Sequence, residues 1–345
     1  MEKNFNFNQK FEPPAGKVLH GAGQSPEQFR KYCNAVENYK PIIYMTYVRI
    51  NEIKEKFRNK VNEAKNISPD LMLQIGLNLK AREIGEQCKQ IIKRELDQEI
   101  LFLIKIIKEY KNPVFLRIGY EFNNPTHGYS PKEFISAWKY IVDLFRKNDV
   151  KNIAFIWNCC TAFTRDINEI MKFYPGDEYV DWFSDNLFGA KHFTEVNNPK
   201  IITRDFLQEA EKHKKPVIIG ESSPAKTGVD KGKESWNEWF KPYFKWIKDH
   251  PIIKAFCYIN WDWGKDWKQP EWLNGRVEEN EEVRKLYVKE LSKEKYIHLK
   301  MIDKQKKAKK PVTVKEEQDE IFSGLKKDIK ESISQMDDII DEKDK

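Results

Sequence analysis

The sequence predicts a single (β/α)8 barrel, a TIM barrel, over residues 1–291, followed by a charged linker and an amphipathic helix over 292–345. Three observations carry the prediction. Short β-rich runs alternate with helical stretches eight times along the chain. Most of the runs are continuously apolar, as parallel strands covered on both faces are. The length of 345 residues fits one barrel of about 250 residues plus a tail. Eight such units call for a closed ring in place of an open sheet.

The runs are Lys17–His20, Pro41–Tyr47, Leu71–Leu77, Pro113–Gly119, Asn152–Trp157, Tyr179–Ser184, Pro216–Gly220 and Ile252–Ile259. Helix-start chemistry falls between them. Ser25-Pro26-Glu27-Gln28 and Ser130-Pro131-Lys132-Glu133 each place a cap residue, a proline at the first helical position, and an acid or amide three residues on. After the second, Phe134, Trp138, Ile141, Val142 and Phe145 recur at helical spacing and give one apolar face to lay against the strands. Glu83 to Lys111 is long enough for two helices, so the third unit carries an insertion. Past Ser292 the character changes. Lys300 to Lys310 is basic and poor in apolar residues. Phe322, Ile329 and Met336 then stand seven apart, with Leu325 and Ile339 on the neighbouring row. This heptad-like stretch, residues 320–341, could dock on the barrel or pair with a partner helix; a solvated helix is the plain alternative, because so few heptads specify little.

Composition bounds the function. Hydrophobic residues make up 40% and aromatics 13%, from 21 Phe, 14 Tyr and 10 Trp, which is enough for a large core and excludes disorder across the whole chain. Several Trp sit beside turn residues and charges, where a flat indole face can stack on a sugar ring, although most Trp are core. The net charge of +7, 61 basic against 54 acidic residues, is spread along the chain and does not demand nucleic acid. No apolar run approaches the roughly 20 residues that span a bilayer, so no membrane partner is expected. Met1 to Gly16 is polar with no signal-like core. The chain as written is expected to be soluble; either a leader preceded it or its substrate is internal. Cys33, Cys88, Cys159, Cys160 and Cys257 lack metal-type spacing and read as buried free thiols. Six histidines without HExxH or paired spacing give no support to a metal. Gly21-Ala22-Gly23 lacks the third glycine of a dinucleotide loop. No cofactor is expected.

Active sites of such barrels lie at the carboxyl ends of the strands. Two glutamates stand there. The fourth run leads into Glu121, and the seventh into Glu221. Strands 4 and 7 are three apart around a ring of eight, so their tips face each other across the mouth. A retaining glycosidase needs two carboxyl groups about 5 to 5.5 Å apart, one to protonate the leaving oxygen and one to attack the anomeric carbon. Singly, each glutamate reads as a surface charge or an ion-pair partner; the pairing turns the reading to chemistry. Strand alternation places Arg117, Gly119 and Glu121 on one face, so Arg117 points into the mouth. There it would favour the charged form of a nearby carboxylate, Glu221, or meet the substrate; the structural alternative is a buried ion pair in the barrel's top layer. His20, Asn123, Trp157, Asn158 and Asp185 also fall at strand ends within expected reach of a sugar hydroxyl, although Asn and Asp are common turn residues.

Three spaced segments carry a resemblance: Leu116-Arg-Ile-Gly-Tyr-Glu-Phe-Asn123, Tyr174-Pro-Gly-Asp-Glu-Tyr-Val-Asp-Trp182 and Lys215-Pro-Val-Ile-Ile-Gly-Glu221. In this order they resemble glycoside hydrolase family 26, which includes mannanases, mixed-linkage glucanases and β-1,3-xylanases. The likeness runs from the first strand to about Arg276. It implies a retaining β-glycanase acting on a β-linked polysaccharide or oligosaccharide, with Glu121 as general acid/base and Glu221 as nucleophile. Two positions depart from the mannanase pattern. Tyr120 stands where the residue before the acid/base is usually His, and Phe188 stands where a Tyr usually hydrogen-bonds the nucleophile. Losing that phenol removes one hydrogen bond, worth about 1 kcal/mol. The family's sugar-stacking tryptophan has candidates in Trp261 and Trp263, Trp261 coming first past its run; a rim or core aromatic is the plain alternative. A carbohydrate-binding barrel without catalysis is the second reading, motivated by Tyr120, Phe188 and the helical tail.

Overall fold

The computed structural model describes residues 5–79, 86–194 and 200–299. Eight parallel strands, β1 (Val18–Gly23), β2 (Ile43–Arg49), β3 (Met72–Asn78), β4 (Val114–Ile118), β5 (Ile153–Cys159), β6 (Trp182–Leu187), β7 (Val217–Ser222) and β8 (Ile253–Ile259), pair in chain order. Pairing of β1 with β2 closes the ring. All eight expected runs are strands. Several extend two or three residues past the end of the apolar run, because the ladder is made by backbone groups and continues past the last apolar side chain.

Helices α1 (Pro26–Ala35) and α2 (Glu55–Ile67) follow the first two strands. The third unit carries both α3 (Glu86–Ile92) and α4 (Asp97–Tyr110), the insertion expected there. Then come α5 (Pro131–Lys147), α6 (Ile167–Met171) and α7 (Lys200–Lys212). After β7, α8 (Lys233–Ser235) passes through one π turn, Trp236–Phe240, into α9 (Lys241–Asp249). Beyond β8 lie α10 (Trp263–Trp267) and α11 (Glu281–Leu291). The two serine caps act as expected. Ser25 accepts from Gln28 N, and Ser130 from Glu133 N.

Strand alternation divides the core in two. Inward positions, among them Leu19, Ile43, Met45, Phe115, Ala154, Ile156, Trp182, Ile218 and Cys257, fill the barrel. Outward positions such as Ala22, Phe155, Trp157, Phe183 and Ile219 pack beneath the helices. The N-terminal segment is tied to this end of the sheet: Lys10 O accepts from Trp182 Nε1 at 2.7 Å, and Phe11 meets Phe115 edge-on at 5.9 Å. All five cysteines are buried and free.

After Leu291 the chain returns to the sheet. A short strand, β9 (Tyr296–Ile297), pairs in parallel with Val18 and Leu19 of β1, so the packed unit runs past the expected boundary at residue 291, to Leu299. The rest of the expected linker and the helix of residues 320–341 lie outside the described residues. Among the described residues, no helix is long and apolar enough to cross a membrane.

Candidate active site

The carboxyl ends of the strands open into a cleft of about 1180 Å³, lined by both Glu121 and Glu221. Each glutamate reaches it by a break in regular strand geometry. In β7, Gly220 faces the barrel interior, where a Cβ would come within 2.5 Å of Ser184 Oγ and 2.9 Å of Asn186 Oδ1. Strict alternation would turn Glu221 outward, under the helices. Instead the register slips on both sides of Gly220, at Asp185/Asn186 in β6 and between Ile219 and Ser222 against β8. The bulge re-aims Glu221 inward. Ser222 takes the outward place and bonds Tyr243 of α9. Glu121 lies three residues beyond the end of β4, and both Gly119 and Glu121 have positive φ, 55° and 51°. A turn, and not the expected strand alternation, thus delivers this carboxylate to the mouth, and a left-handed non-glycine residue is a form of strain that clusters at functional sites.

Arg117 does lie on an inward strand position, fully buried. Its Nη1 donates to Glu221 Oε1 at 2.7 Å and to Asn158 Oδ1 at 3.3 Å. Asn158 Oδ1 also accepts from Glu121 N at 3.3 Å, and Asn158 Nδ2 donates to Asn186 Oδ1 and Ser184 Oγ. Asn186 Nδ2 then donates to Glu121 Oε1 at 2.9 Å, and Asn124 Nδ2 to Oε2 at 3.2 Å. One polar chain, Glu221–Arg117–Asn158–Asn186–Glu121, therefore runs beneath the cleft floor. Gln74 steadies it from below by donating to Gly220 O at 2.8 Å.

The two acids have different neighbours. Burial, followed by the negative charge of Glu221, pushes Glu121 up to about 7, against the opposing amides of Asn186 and Asn124. Glu221 faces a guanidinium that its surroundings hold firmly charged. Tyr47 and Tyr120 flank that guanidinium, with ring centroids 5.3 and 5.2 Å from it. Tyr120 OH accepts from Asn78 Nδ2 at 3.1 Å. Phe188, Trp261 and Trp263 line the opposite wall together with Trp272, whose centroid lies 5.0 Å from that of Phe188. Trp263 is nearly buried and donates to Ser223 Oγ, whereas Trp261 presents part of its ring to the cleft.

Four expected sugar contacts need correction, and a fifth a change of role. His20 and Trp157 sit at outward strand positions and are fully buried. His20 bonds Tyr32 and His298; Trp157 stacks on Phe122 and donates to Phe173 O. Neither meets the cleft. Asp185 is also outward, its carboxylate accepting from Thr161 N and Oγ1 to hold the turn after β5, and burial raises it to about 7. Asn123 clamps the same turn through Cys160 N and O. Asn158 faces inward as expected, but each hydrogen bond of its amide given above goes to protein. Asn186, Asn124, Tyr47 and Trp272 were not anticipated; the parity of β6, which puts Asn186 two places past the inward Ser184, was the signal available for the first. Among the described residues, no group of three His, Cys, Asp or Glu could hold a metal ion.

A model of glycosyl hydrolase family 26 matches residues 42–250. The chain belongs to glycosyl hydrolase family 26. The matched span holds both glutamates, Arg117, and all of the bonded asparagines of this family 26 site. Curated relatives include a β-1,3-xylanase from Alcaligenes sp, 26% identical over 84% of this chain and 66% of that protein. Another is a β-1,3-xylanase from Vibrio sp, 25% identical over 84% and 67%. The family 26 chain thus spans about two thirds of the length of these relatives. Among solved structures, the catalytic domain of a GH26 endo-β-1,4-mannanase from Bacillus sp. JAMB-750 superposes with a TM-score of 0.61 at 14% identity, over 82% of this chain and 88% of that one. A GH26 β-mannanase from Bacteroides ovatus gives 0.57 at 13%, over 82% and 90%. These likenesses establish the shared barrel.

Proposed function

We propose that the chain hydrolyses β-glycosidic bonds of a polysaccharide or oligosaccharide with retention of configuration, in the class of β-xylans, mixed-linkage β-glucans and β-mannans. The names of the curated relatives put β-1,3-xylan first to be tried. The observation that carries the reading is the unequal pair: Glu121, raised to about 7 by burial and by its neighbour, shares a cleft with Glu221, which an arginine binds at 2.7 Å.

Protonated Glu121 gives its proton to the glycosidic oxygen as the bond to the anomeric carbon breaks. Glu221 attacks that carbon from the other side and forms a glycosyl ester. Esterification removes the negative charge that had helped to raise Glu121. The carboxylate left by the first step then takes a proton from water, whose oxygen displaces Glu221. Arg117 orients the nucleophile and stabilises it as a leaving carboxylate. Tyr120, Phe188 and Trp261 supply the walls on which a sugar can rest.

Glu121→Ala should lower release of reducing ends from the best β-glycan by about 10²- to 10⁴-fold, the usual worth of acid/base catalysis. Glu221→Ala should lower it to background. Full activity in both variants would defeat the reading. Binding of β-glycans by the unaltered chain without any turnover would instead support a carbohydrate-binding barrel.

A further inference from the structure

Trp267 is 58% exposed, more than any other large apolar side chain among the described residues. A ring left in water to this degree contributes little to the core and keeps a face free for a ligand. It lies in the cleft wall, with its centroid 5.6 Å from that of Trp261 and the two planes tilted by 33°. The pair forms an aromatic strip in the wall of the cleft that holds Glu121 and Glu221, running from the half-buried Trp261 to the exposed Trp267.

The backbone that carries Trp267 is fixed at several points. Asp262 caps α10 by accepting from Lys265 N, and the last residue before Trp267, Asp266, takes two hydrogen bonds from Arg276 Nη2 at 2.9 and 2.8 Å. The same carboxylate accepts from Asp262 N at 3.0 Å. Gln269 N and Gly275 N donate to Trp263 O and Trp261 O, and an antiparallel bridge joins Asp262 to Asn274. A partly buried, charge-assisted arginine–carboxylate pair is a strong tether. Trp267 is thus held ready at the rim, and a ligand that covers it loses little ordering entropy.

We infer that Trp267 is an outer sugar-binding platform, on which the apolar face of a β-linked pyranose stacks at least one unit further from the scissile bond than the sugar resting on Trp261. The ligand is a chain of neutral pyranose units, since an indole face offers apolar contact and no hydrogen-bond acceptor. This deepens, and rests on, the hydrolase reading above: an outer platform makes the site favour long chains over short ones.

The test uses the full chain and a length series of the β-linked oligosaccharides it cleaves, beginning with β-1,3-xylo-oligosaccharides. In Trp267→Ala the ratio of kcat/KM for the longest to that for the shortest cleaved oligosaccharide should fall about tenfold, carried by KM, as loss of one good aromatic contact implies. Trp267→Phe should restore most of the ratio. A ratio unmoved by Trp267→Ala, or an equal loss at every length, overturns the inference. Calorimetric binding of the longest oligosaccharide to Glu221→Ala, with and without Trp267→Ala, reads the platform apart from turnover. Equal affinity in the two also overturns it. Should the unaltered chain cleave no β-glycan, the hydrolase reading falls while the binding comparison still decides the platform.

Discussion

Glu121 accepts one amide hydrogen bond on each carboxylate oxygen, from Asn186 and from Asn124, and both favour its ionised form against burial and the charge of Glu221. An acid that must be protonated at the first step loses activity as pH rises through its pKa, so kcat/KM should fall on an alkaline limb near pH 7. Asn186→Ala removes one of the two opposing donors. The limb should then move upward by roughly one pH unit, the worth of a hydrogen bond to a charged group. A pH profile of kcat/KM for both proteins reads this directly, and coincident limbs would show that Asn186 serves only packing. The two glutamates were legible in the sequence because each follows an apolar run, and Arg117 because it interrupts one at an inward strand position. His20, Trp157 and Asp185 were misplaced because nearness to a strand end was weighed without the parity of the strand. Counting by twos from Leu19, Ile156 and Trp182, which fill the barrel, turns all three outward.

At the scale of elements, the return of the chain through β9 brings His298 against His20. His298 Nε2 lies 3.0 Å from Leu291 O, which can only accept, so in the neutral ring Nε2 carries the proton and Nδ1 accepts from His20 Nδ1. His20 Nε2 accepts in turn from Tyr32 OH, and Tyr32 OH from Tyr287 OH. In this arrangement both imidazole rings are neutral. Burial and the neighbouring ring hold His20 well below the usual imidazole value of 6.5, and burial lowers His298. The unfolded chain binds protons that the folded one refuses, so this stabilisation is present above about pH 6.5 and lost as pH falls below it. His20→Phe keeps a ring on Phe256, which His20 stacks at 5.2 Å, and cannot be protonated. Its urea midpoint should lie below that of the unaltered chain at pH 7.5, with the gap narrowing at pH 5; a gap that does not change with pH would refute the network's role. The eight strands and the caps of α1 and α5 could be read from apolar runs and from Ser-Pro pairs. β9 could not, since Tyr296–Ile297 is two residues long and is made a strand only by the free edge of Val18 and Leu19.

For the molecule as a whole, the chemistry proposed for the cleft is in tension with stability. A barrel built only for packing would not hold a carboxyl group in its mouth with a pKa of about 7 beside a second carboxylate. The folded value exceeds the unfolded one of about 4.5, so the fold binds this proton more tightly than the open chain does. That advantage is complete below about pH 4.5 and disappears as pH rises through 7; above it, folding must bear an ionised, half-buried Glu121. Asp185, raised to about 7 by burial beneath the helices, acts in the same direction. Glu121→Gln keeps the shape, and its side-chain oxygen can still accept the bond from Asn186 or Asn124. It carries no charge at any pH. It should therefore raise stability by on the order of 1–3 kcal/mol at pH 8, the full pKa difference setting the upper end and solvent at the cleft reducing it, and by little at pH 5. The same substitution should cost most of the hydrolytic activity, as is usual where a site is held in a strained and electrostatically unfavourable state. Urea unfolding of the two proteins at pH 5 and pH 8 decides the matter. A variant no more stable at pH 8 than at pH 5, relative to the unaltered chain, would mean that Glu121 is not held protonated by the fold, and the division of labour between the two glutamates would lose its physical basis.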